Sequence, residues 1–248
     1  MSPAVHHPRG ALAAAAMALM TLALLDAAPA DASCAHPRAA SPAYRVHAMQ
    51  VAAGLGAPAD YPRTRHWALQ PEASALMPAG RDVYGRRLQL APQAAIALKA
   101  MVSAAARDGV SLQVVSGFRS FGTQRRLLRR KLDRGRSLAE VLEVNALPGF
   151  SEHHSGCALD LTTPGVPAAD AAFAGTRAYA WLGAHAARYG FALSYPAGNP
   201  HGIDFEPWHW RYRGVAPALR EDAPAVYVAT AANPTDPALT DLSTTGQP

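Results

Sequence analysis

Two short segments of the chain contain the residue types of a catalytic metal site. Residues 151–160 include His153 and end on Asp160, and residues 206–212 begin with Glu206 and include His209. Zn²⁺ accepts imidazole nitrogen and carboxylate oxygen, and a hydrolytic zinc site holds three such ligands and leaves one position for water. Two imidazoles, one ligating carboxylate and a second carboxylate as general base complete that inventory. The two segments together therefore predict metal-assisted hydrolysis.

The sequence around these residues indicates how the chain must position them. Asp160 lies in the apolar run of residues 157–161, which is typical of a short buried strand, and a carboxylate there needs a cation or hydrogen-bond donors. Gly156 permits a tight turn before that strand. In a regular strand Glu206 and His209 would point to opposite faces. Both can face one metal only if the chain bends at Pro207, so we predict a turn or bulge at that residue.

Three motifs, in a fixed order, give a family resemblance. The pattern S-G-[YF]-R-S-x-x-x-Q is matched by residues 116–124, S-x-H-x-x-G-x-A-x-D by residues 151–160, and E-P-W-H-x-R-Y by residues 206–212. In these motifs the chain resembles the zinc-dependent D-alanyl-D-alanine carboxypeptidases of the VanY type and their L,D-carboxypeptidase relatives, which trim peptidoglycan stem peptides. The resemblance extends over about residues 89–214.

The resemblance implies a role for each motif residue. The implied zinc ligands are His153, Asp160 and His209. Glu206 would be the catalytic base, and Arg119 would stabilise the substrate carbonyl or its oxyanion. Ser151 and Trp208 would contact the substrate. We therefore expect a zinc metallopeptidase that removes the C-terminal D-alanine from peptidoglycan stem peptides, with an L,D-carboxypeptidase or a peptidoglycan endopeptidase as alternatives.

Several alternatives stay open at this stage. His154 competes with His153 as a ligand, although the family pattern and the spacing to Asp160 favour His153. One of Trp208 and Trp210 is expected in the core. Related zinc folds include non-catalytic peptidoglycan-binding modules, which should lack the base, a ligand or the arginine. Since all of these are present, an enzyme is the favoured interpretation.

The N-terminus predicts an exported protein. Residues 11–25 form an apolar run that is too short to span a membrane comfortably, and Ala30-Asp31-Ala32 offers a cleavage site. We therefore predict a signal peptide over residues 1–32, export to the periplasm or cell envelope, and no stable membrane insertion after cleavage. Cys34 suggests a lipoprotein, but Asp31 stands where a lipobox has an aliphatic residue.

The cysteines and the charge add further expectations. Two cysteines in an exported chain permit one disulfide between Cys34 and Cys157, while a buried thiol or a zinc ligand at Cys157 is the alternative. The formal net charge is +5, and basic residues cluster in residues 125–136. On a helix they would form a solvated face, or a surface attracted to anionic cell-wall polymers. Nucleic acid is not an expected partner, and the protein is expected to be a monomer.

The coarse pattern predicts an α+β fold, with a single compact domain in which a small antiparallel sheet and flanking helices surround the zinc site. Residues 33–87 are expected to form an N-terminal arm that is partly irregular, residues 88–215 the catalytic domain, and residues 216–248 a largely disordered tail. The predicted helices cover residues 92–107, 121–134 and 176–189, and a capping box predicts a further short helix after Ser137. The predicted strands cover residues 110–114, 157–161 and 191–195.

Overall fold

The computed structural model describes Cys34 and residues 38–214 of the chain. The predicted signal peptide and the predicted tail lie outside these residues. In the described part, no helix has the length and apolar character needed to cross a membrane. The helices there are α1 (Pro42–Gly54), α2 (Tyr61–Thr64), α3 (Pro92–Arg107), α4 (Phe121–Asp133), α5 (Leu138–Val141) and α6 (Arg177–His185). The strands are β1 (Met77–Arg81), β2 (Arg87–Leu90), β3 (Gln113–Ser116), β4 (Ala158–Thr162), β5 (Phe191–Leu193) and β6 (His209–Tyr212).

An antiparallel sheet with the strand order β3-β4-β6-β5 brings the three motifs together. In its register, Asp160 on β4 lies opposite Ser116 on β3 and opposite His209 on β6. Every residue of β4 is buried, as the apolar run predicts. The strands β1 and β2 form a separate antiparallel pair. The α+β prediction with a small antiparallel sheet is therefore confirmed.

Helix α3 packs beside the sheet as the sequence predicts. It begins at Pro92, which suits the first turn because a helix leaves that N–H unbonded, and it ends just before Gly109 at φ +69°. Leu98 and Met101 on its inner face lie in one core cluster with Leu159 of β4. The following strand begins at Gln113, three residues later than expected, since Val110 and Leu112 are buried in the connection without pairing in the sheet.

The N-terminal arm contains a helix that its composition did not predict. In α1, the Ser41 side chain accepts a hydrogen bond from the Tyr44 N–H and so caps the first turn. The residues of α1 that are buried are alanines, Ala48 and Ala52, so the helical period has little contrast in the sequence. Helix α1 packs closely against Gly149, since a Cβ atom on that glycine would lie 2.7 Å from the Cβ atom of Ala48. This close approach requires small side chains on the buried face of α1. The arm is thus packed against the domain through a second core cluster.

The basic helix α4 occupies its predicted position, with Ser120 as its N-cap. Leu128 is fully buried, and Leu127 and Leu132 pack against the second core cluster, as the pattern predicts. The short helix α5 has the predicted capping box between Ser137 and Glu140. Helix α6 is shorter than expected, because residues 186–189 continue it as a tighter 3-10 turn.

Cys34 and Cys157 form a disulfide bond, with their Cα atoms 5.7 Å apart. This result excludes Cys157 as a free thiol or a metal ligand. Cys157 directly precedes β4, so the bond attaches the N-terminal segment to the strand that contains Asp160. The bond closes a sequence separation of 123 residues, and a long loop gives a large loss of chain entropy in the unfolded state.

Replacing both cysteines, as Cys34→Ser with Cys157→Ser, should lower the free energy of unfolding by about 2–5 kcal/mol. Urea unfolding of the double variant and of the oxidised wild type measures this difference. The reduced wild type serves as a control and should match the double variant. Equal stability of the oxidised and double-variant proteins would contradict the assigned role of the bond.

Candidate metal centre

The sheet register places His153, Asp160 and His209 at one point. Their ligand atoms all lie within 4.8 Å of one another. The Nε2 atom of His153 is 3.3 Å from Oδ2 of Asp160, and the Nδ1 atom of His209 is 3.1 Å from Oδ1 of the same carboxylate. All three side chains are buried. They therefore form a convergent set of two imidazole nitrogens and one carboxylate.

His153 is oriented by a short turn and one backbone contact. It lies in a 3-10 turn, Glu152–Ser155, which ends at Gly156 with φ +70°. A Cβ atom on Gly156 would lie 2.8 Å from the backbone nitrogen of Ala91, so only glycine fits there. The Nδ1–H of His153 donates to the Gly117 carbonyl oxygen at 2.7 Å. That bond fixes the tautomer and leaves the lone pair of Nε2 facing Asp160.

His209 and Glu206 reach the same point because the chain turns at Pro207, as predicted. The His209 N–H donates to the Glu206 carbonyl oxygen at 3.2 Å, which closes a tight turn just before β6. The side chains consequently lie together instead of on opposite faces, with Oε2 of Glu206 3.9 Å from Nδ1 of His209. The predicted base is therefore beside the predicted ligand.

The electrostatics around His209 favour a positive charge at this point. Burial by itself lowers the pKa of His209, but hydrogen bonds with Asp160 and Glu152 raise it to about 10. Burial likewise raises the pKa of Asp160, yet the neighbouring His153 and His209 hold it well below its usual range. A bound divalent cation would supply positive charge at this point. Three ligands, two imidazoles and one carboxylate, are a donor set of catalytic zinc sites, so the residues present fit zinc.

Glu206 differs from the other carboxylates of the centre. Its pKa is raised to about 8, mainly by burial and also by the charge of Asp160, while His209, Arg119 and Lys131 oppose the shift. A strongly shifted pKa in a cavity is a property of candidate catalytic groups. Glu206 therefore stays the predicted base.

One cavity, with a volume of about 460 Å³, contains the whole centre. The predicted site residues all line it: Arg119, Ser151, His153, Asp160, Glu206, Trp208 and His209. The Nη2 atom of Arg119 is 3.6 Å from Oδ2 of Asp160, and its Nη1 donates to Oε1 of Gln124 at 2.9 Å. The structure therefore brings the predicted ligands, base and arginine together around one volume.

The structure decides between the alternatives at two positions. His154 is fully buried, its Nδ1–H donates to the Arg119 carbonyl oxygen at 2.6 Å, and its Nε2 accepts from the Gly149 N–H at 3.0 Å. Both of its nitrogens are thus used, which leaves none for a metal. Trp210 is the core tryptophan, whereas Trp208 lines the cavity.

Glu152 belongs to the centre, although the sequence motif gave it no role. Its Oε2 atom accepts from Nε2 of His209 at 3.0 Å and from the Ser194 hydroxyl at 2.6 Å. Its Oε1 atom accepts from Nη1 of Arg211 at 2.7 Å. Although burial alone raises the pKa of Glu152, these partners hold it well below the usual range. The charged carboxylate favours the His209 tautomer with its proton on Nε2. In that tautomer the lone pair of Nδ1 faces Asp160.

The position of Glu152 in a variable place of its motif explains why the sequence did not reveal its role. The available signal was the pairing of two buried charges, Glu152 in one motif and Arg211 in the other. That pairing depends on the antiparallel contact of β4 with β6, which places Arg211 opposite Ala158. A spacing pattern within either motif contains no information about it.

Glu152→Ala should weaken Zn²⁺ binding by roughly 10–100-fold, because His209 loses the partner that fixes its tautomer. Competition against a chelator at one pH measures the affinity, and thermal unfolding monitors the fold, since Arg211 loses its buried partner. Glu152→Gln tests the same contact with a smaller perturbation, because the amide oxygen still accepts from Nε2.

Ser194→Ala is the matched control and should stay within a few-fold of the wild-type Zn²⁺ affinity, whereas the double variant His153→Ala with His209→Ala should lose the metal. Wild-type affinity in the Glu152→Ala variant would contradict the role.

Comparison with known proteins agrees with this geometry. The chain is 37% identical over 127 residues to YodJ of Bacillus subtilis (strain 168), which carries a carboxypeptidase name; the match covers 49% of this chain and 45% of YodJ. It is 32% identical over 133 residues to a D-alanyl-D-alanine carboxypeptidase of Enterococcus faecalis (strain ATCC 700802 / V583), covering 50% and 48% of the two chains. The chain thus spans about half the length of the curated relatives it matches.

A solved structure and a family model give the same result. The structure of the LdcB LD-carboxypeptidase, described as revealing the molecular basis of peptidoglycan recognition, matches with a TM-score of 0.54 and 31% identity. The match covers 59% of this chain and 72% of that one. The family model for VanY, D-alanyl-D-alanine carboxypeptidase, matches residues 87–215, which is more than half of this chain. The chain therefore belongs to the VanY D-alanyl-D-alanine carboxypeptidase family.

Proposed function

We propose that this protein is a zinc-dependent carboxypeptidase that removes the C-terminal D-alanine from peptidoglycan stem peptides. The single observation that supports catalysis best is the position of Glu206, a buried carboxylate beside His209 in the cavity of the three-residue donor set. A non-catalytic binding module would have no need of a base there. The names of the VanY family and of the Enterococcus faecalis relative support D-alanine as the residue removed.

The residues of the site are proposed to have separate roles in peptide hydrolysis. His153, Asp160 and His209 would hold zinc, which lowers the pKa of a bound water and polarises the scissile carbonyl. Glu206 accepts a proton from the attacking water and passes it to the leaving amine.

Arg119 supplies a fixed positive charge beside these groups. Its guanidinium donates to Gln124 and to the Ser116 hydroxyl, so its orientation is set before the substrate arrives. A preorganised cation of this kind stabilises the negative charge that develops on the carbonyl oxygen. Ser151 and Trp208 line the cavity beside it and are proposed to contact the substrate.

We further propose that the protein is exported and acts in the cell envelope. The apolar segment with its A-x-A site supports a signal peptide over residues 1–32. The disulfide between Cys34 and Cys157 also supports an oxidising compartment outside the cytoplasm. The monomeric state expected from the sequence stays a prediction.

An L,D-carboxypeptidase is the second candidate. The match to the LdcB LD-carboxypeptidase, at 31% identity and a TM-score of 0.54, favours it specifically. Both candidates use the same ligands, base and arginine, so their difference lies in which stem peptide is bound.

Glu206→Gln should retain zinc and lower kcat by about 10²-fold or more, because a general base contributes typically 10²–10⁴-fold. Metal analysis and steady-state kinetics on the same preparation measure both properties. A variant that loses its metal would show that Glu206 is a ligand and would require a different base.

The pentapeptide stem that ends in D-Ala-D-Ala should be cleaved faster than the tetrapeptide stem, with release of one D-alanine. Mass spectrometry of equal concentrations of the two stems identifies the bond cut and the relative rates. Faster cleavage of the tetrapeptide would replace the D,D assignment with the L,D assignment, and cleavage within the peptide would indicate an endopeptidase.

A further inference from the structure

Lys131 on helix α4 differs from the basic residues around it. Arg125, Arg126 and Arg129 are exposed on the same helix, in keeping with the predicted solvated face. Lys131 is only partly exposed and lines the cavity that contains the metal centre. The basic run of the sequence therefore contains a partly buried cation that lines the cavity of the metal centre.

The ammonium group of Lys131 has spare hydrogen-bonding capacity. It donates to Oδ1 of Asn145 at 3.3 Å, and Asn145 is itself oriented by donating from Nδ2 to the Val141 carbonyl oxygen at 2.7 Å. Among residues 38–214, no carboxylate lies within ion-pair distance of Lys131. An ammonium has three donors, so two of them are available to a ligand in the cavity.

The other cations of the cavity are engaged or exposed. Arg86 is paired with Asp82 at 2.6 Å, and Arg119 is held by Gln124 and Ser116 close to Asp160. Arg130 also lines the cavity, but its side chain is exposed to solvent. Lys131 is thus the partly buried cation of this cavity whose donors remain free for an anion.

Lys131 shares its cavity with two of the proposed catalytic residues, Glu206 and Arg119. The pKa of Lys131 is lowered mainly by burial and further by Arg136 and Arg119, while the negative charge of Glu206 opposes the shift. An anionic group bound by Lys131 would therefore lie in the cavity that contains the proposed base and the proposed oxyanion-stabilising arginine.

We propose that Lys131 binds the C-terminal carboxylate of the residue that is removed, which makes it a specificity-determining residue. This inference rests on the proposed function. In a substrate that loses one residue, the terminal carboxylate carbon is separated from the scissile carbonyl carbon by two atoms, a distance of about 4 Å or less. Arg119 would then serve the oxyanion and Lys131 the carboxylate. A substrate cut in mid-chain has no charge at that place and would leave the partly buried ammonium unpaired.

Lys131→Met, compared with wild type on a free-acid and a C-terminally amidated pentapeptide stem, tests this assignment. On the acid, the variant should lose about 10–100-fold in kcat/KM, mostly through KM, since a charged hydrogen-bonded pair is removed. On the amide, the variant and the wild type should be equal. Arg129→Met removes an exposed charge from the same helix and should match wild type on both peptides, and Lys131→Arg should recover part of the loss on the acid.

A binding measurement separates this inference from the proposed activity. In a Glu206→Gln background, calorimetry should show tighter binding of the acid than of the amide, and Lys131→Met should abolish that difference. Equal kcat/KM of Lys131→Met and wild type on the acid, or the same loss on acid and amide, would overturn the assignment while the carboxypeptidase activity stands. Tighter binding of the acid than of the amide that persisted in the Lys131→Met background would also overturn the assignment. If the wild type cleaved neither stem, the proposed function itself would fail.

Discussion

The alignment of Asp160 with His209 across β4 and β6 is the constraint on which the metal centre depends. Because side chains alternate between the two faces of a strand, a slip of one residue in this register would turn one of these groups away from the other. The central position of β4, between β3 and β6, fixes that register from both sides. Residues that lie 49 positions apart in the sequence thereby approach to 3.1 Å.

Asp160 and two further buried carboxylates, Glu152 and Glu206, lie at this contact, and their environments give them different properties. Asp160 lies between two imidazoles, and Glu152 lies between His209, Ser194 and Arg211, so both retain their charge in spite of burial. Glu206 has weaker compensation, and its pKa rises to about 8. The difference between these environments is what separates the proposed ligand Asp160 and its supporting carboxylate Glu152 from the proposed base Glu206.

The local chain geometry is adapted to this centre at several points. Gly156 ends the turn that contains His153 where a side chain would collide with Ala91, and the turn at Pro207 brings Glu206 to the same side as His209. His154 uses both ring nitrogens to join Gly149 to the backbone of Arg119. Residues outside the proposed catalytic set therefore hold the segments that contain the proposed ligands, base and arginine.

Local conformation was readable along the chain: the bend at Pro207 and helices α3 and α4 follow from short-range spacing. The motif residues His153, Asp160, His209 and Glu206 were predicted as a site from their chemistry and from the family resemblance. Other features could be known only from the folded chain: the partnership of Glu152 with Arg211, the bond between Cys34 and Cys157, helix α1 packed through alanines, and the place of Lys131 in the cavity wall. Each of these depends on which distant residues come into contact, and no pattern along the chain records a contact that exists only after the strands have paired.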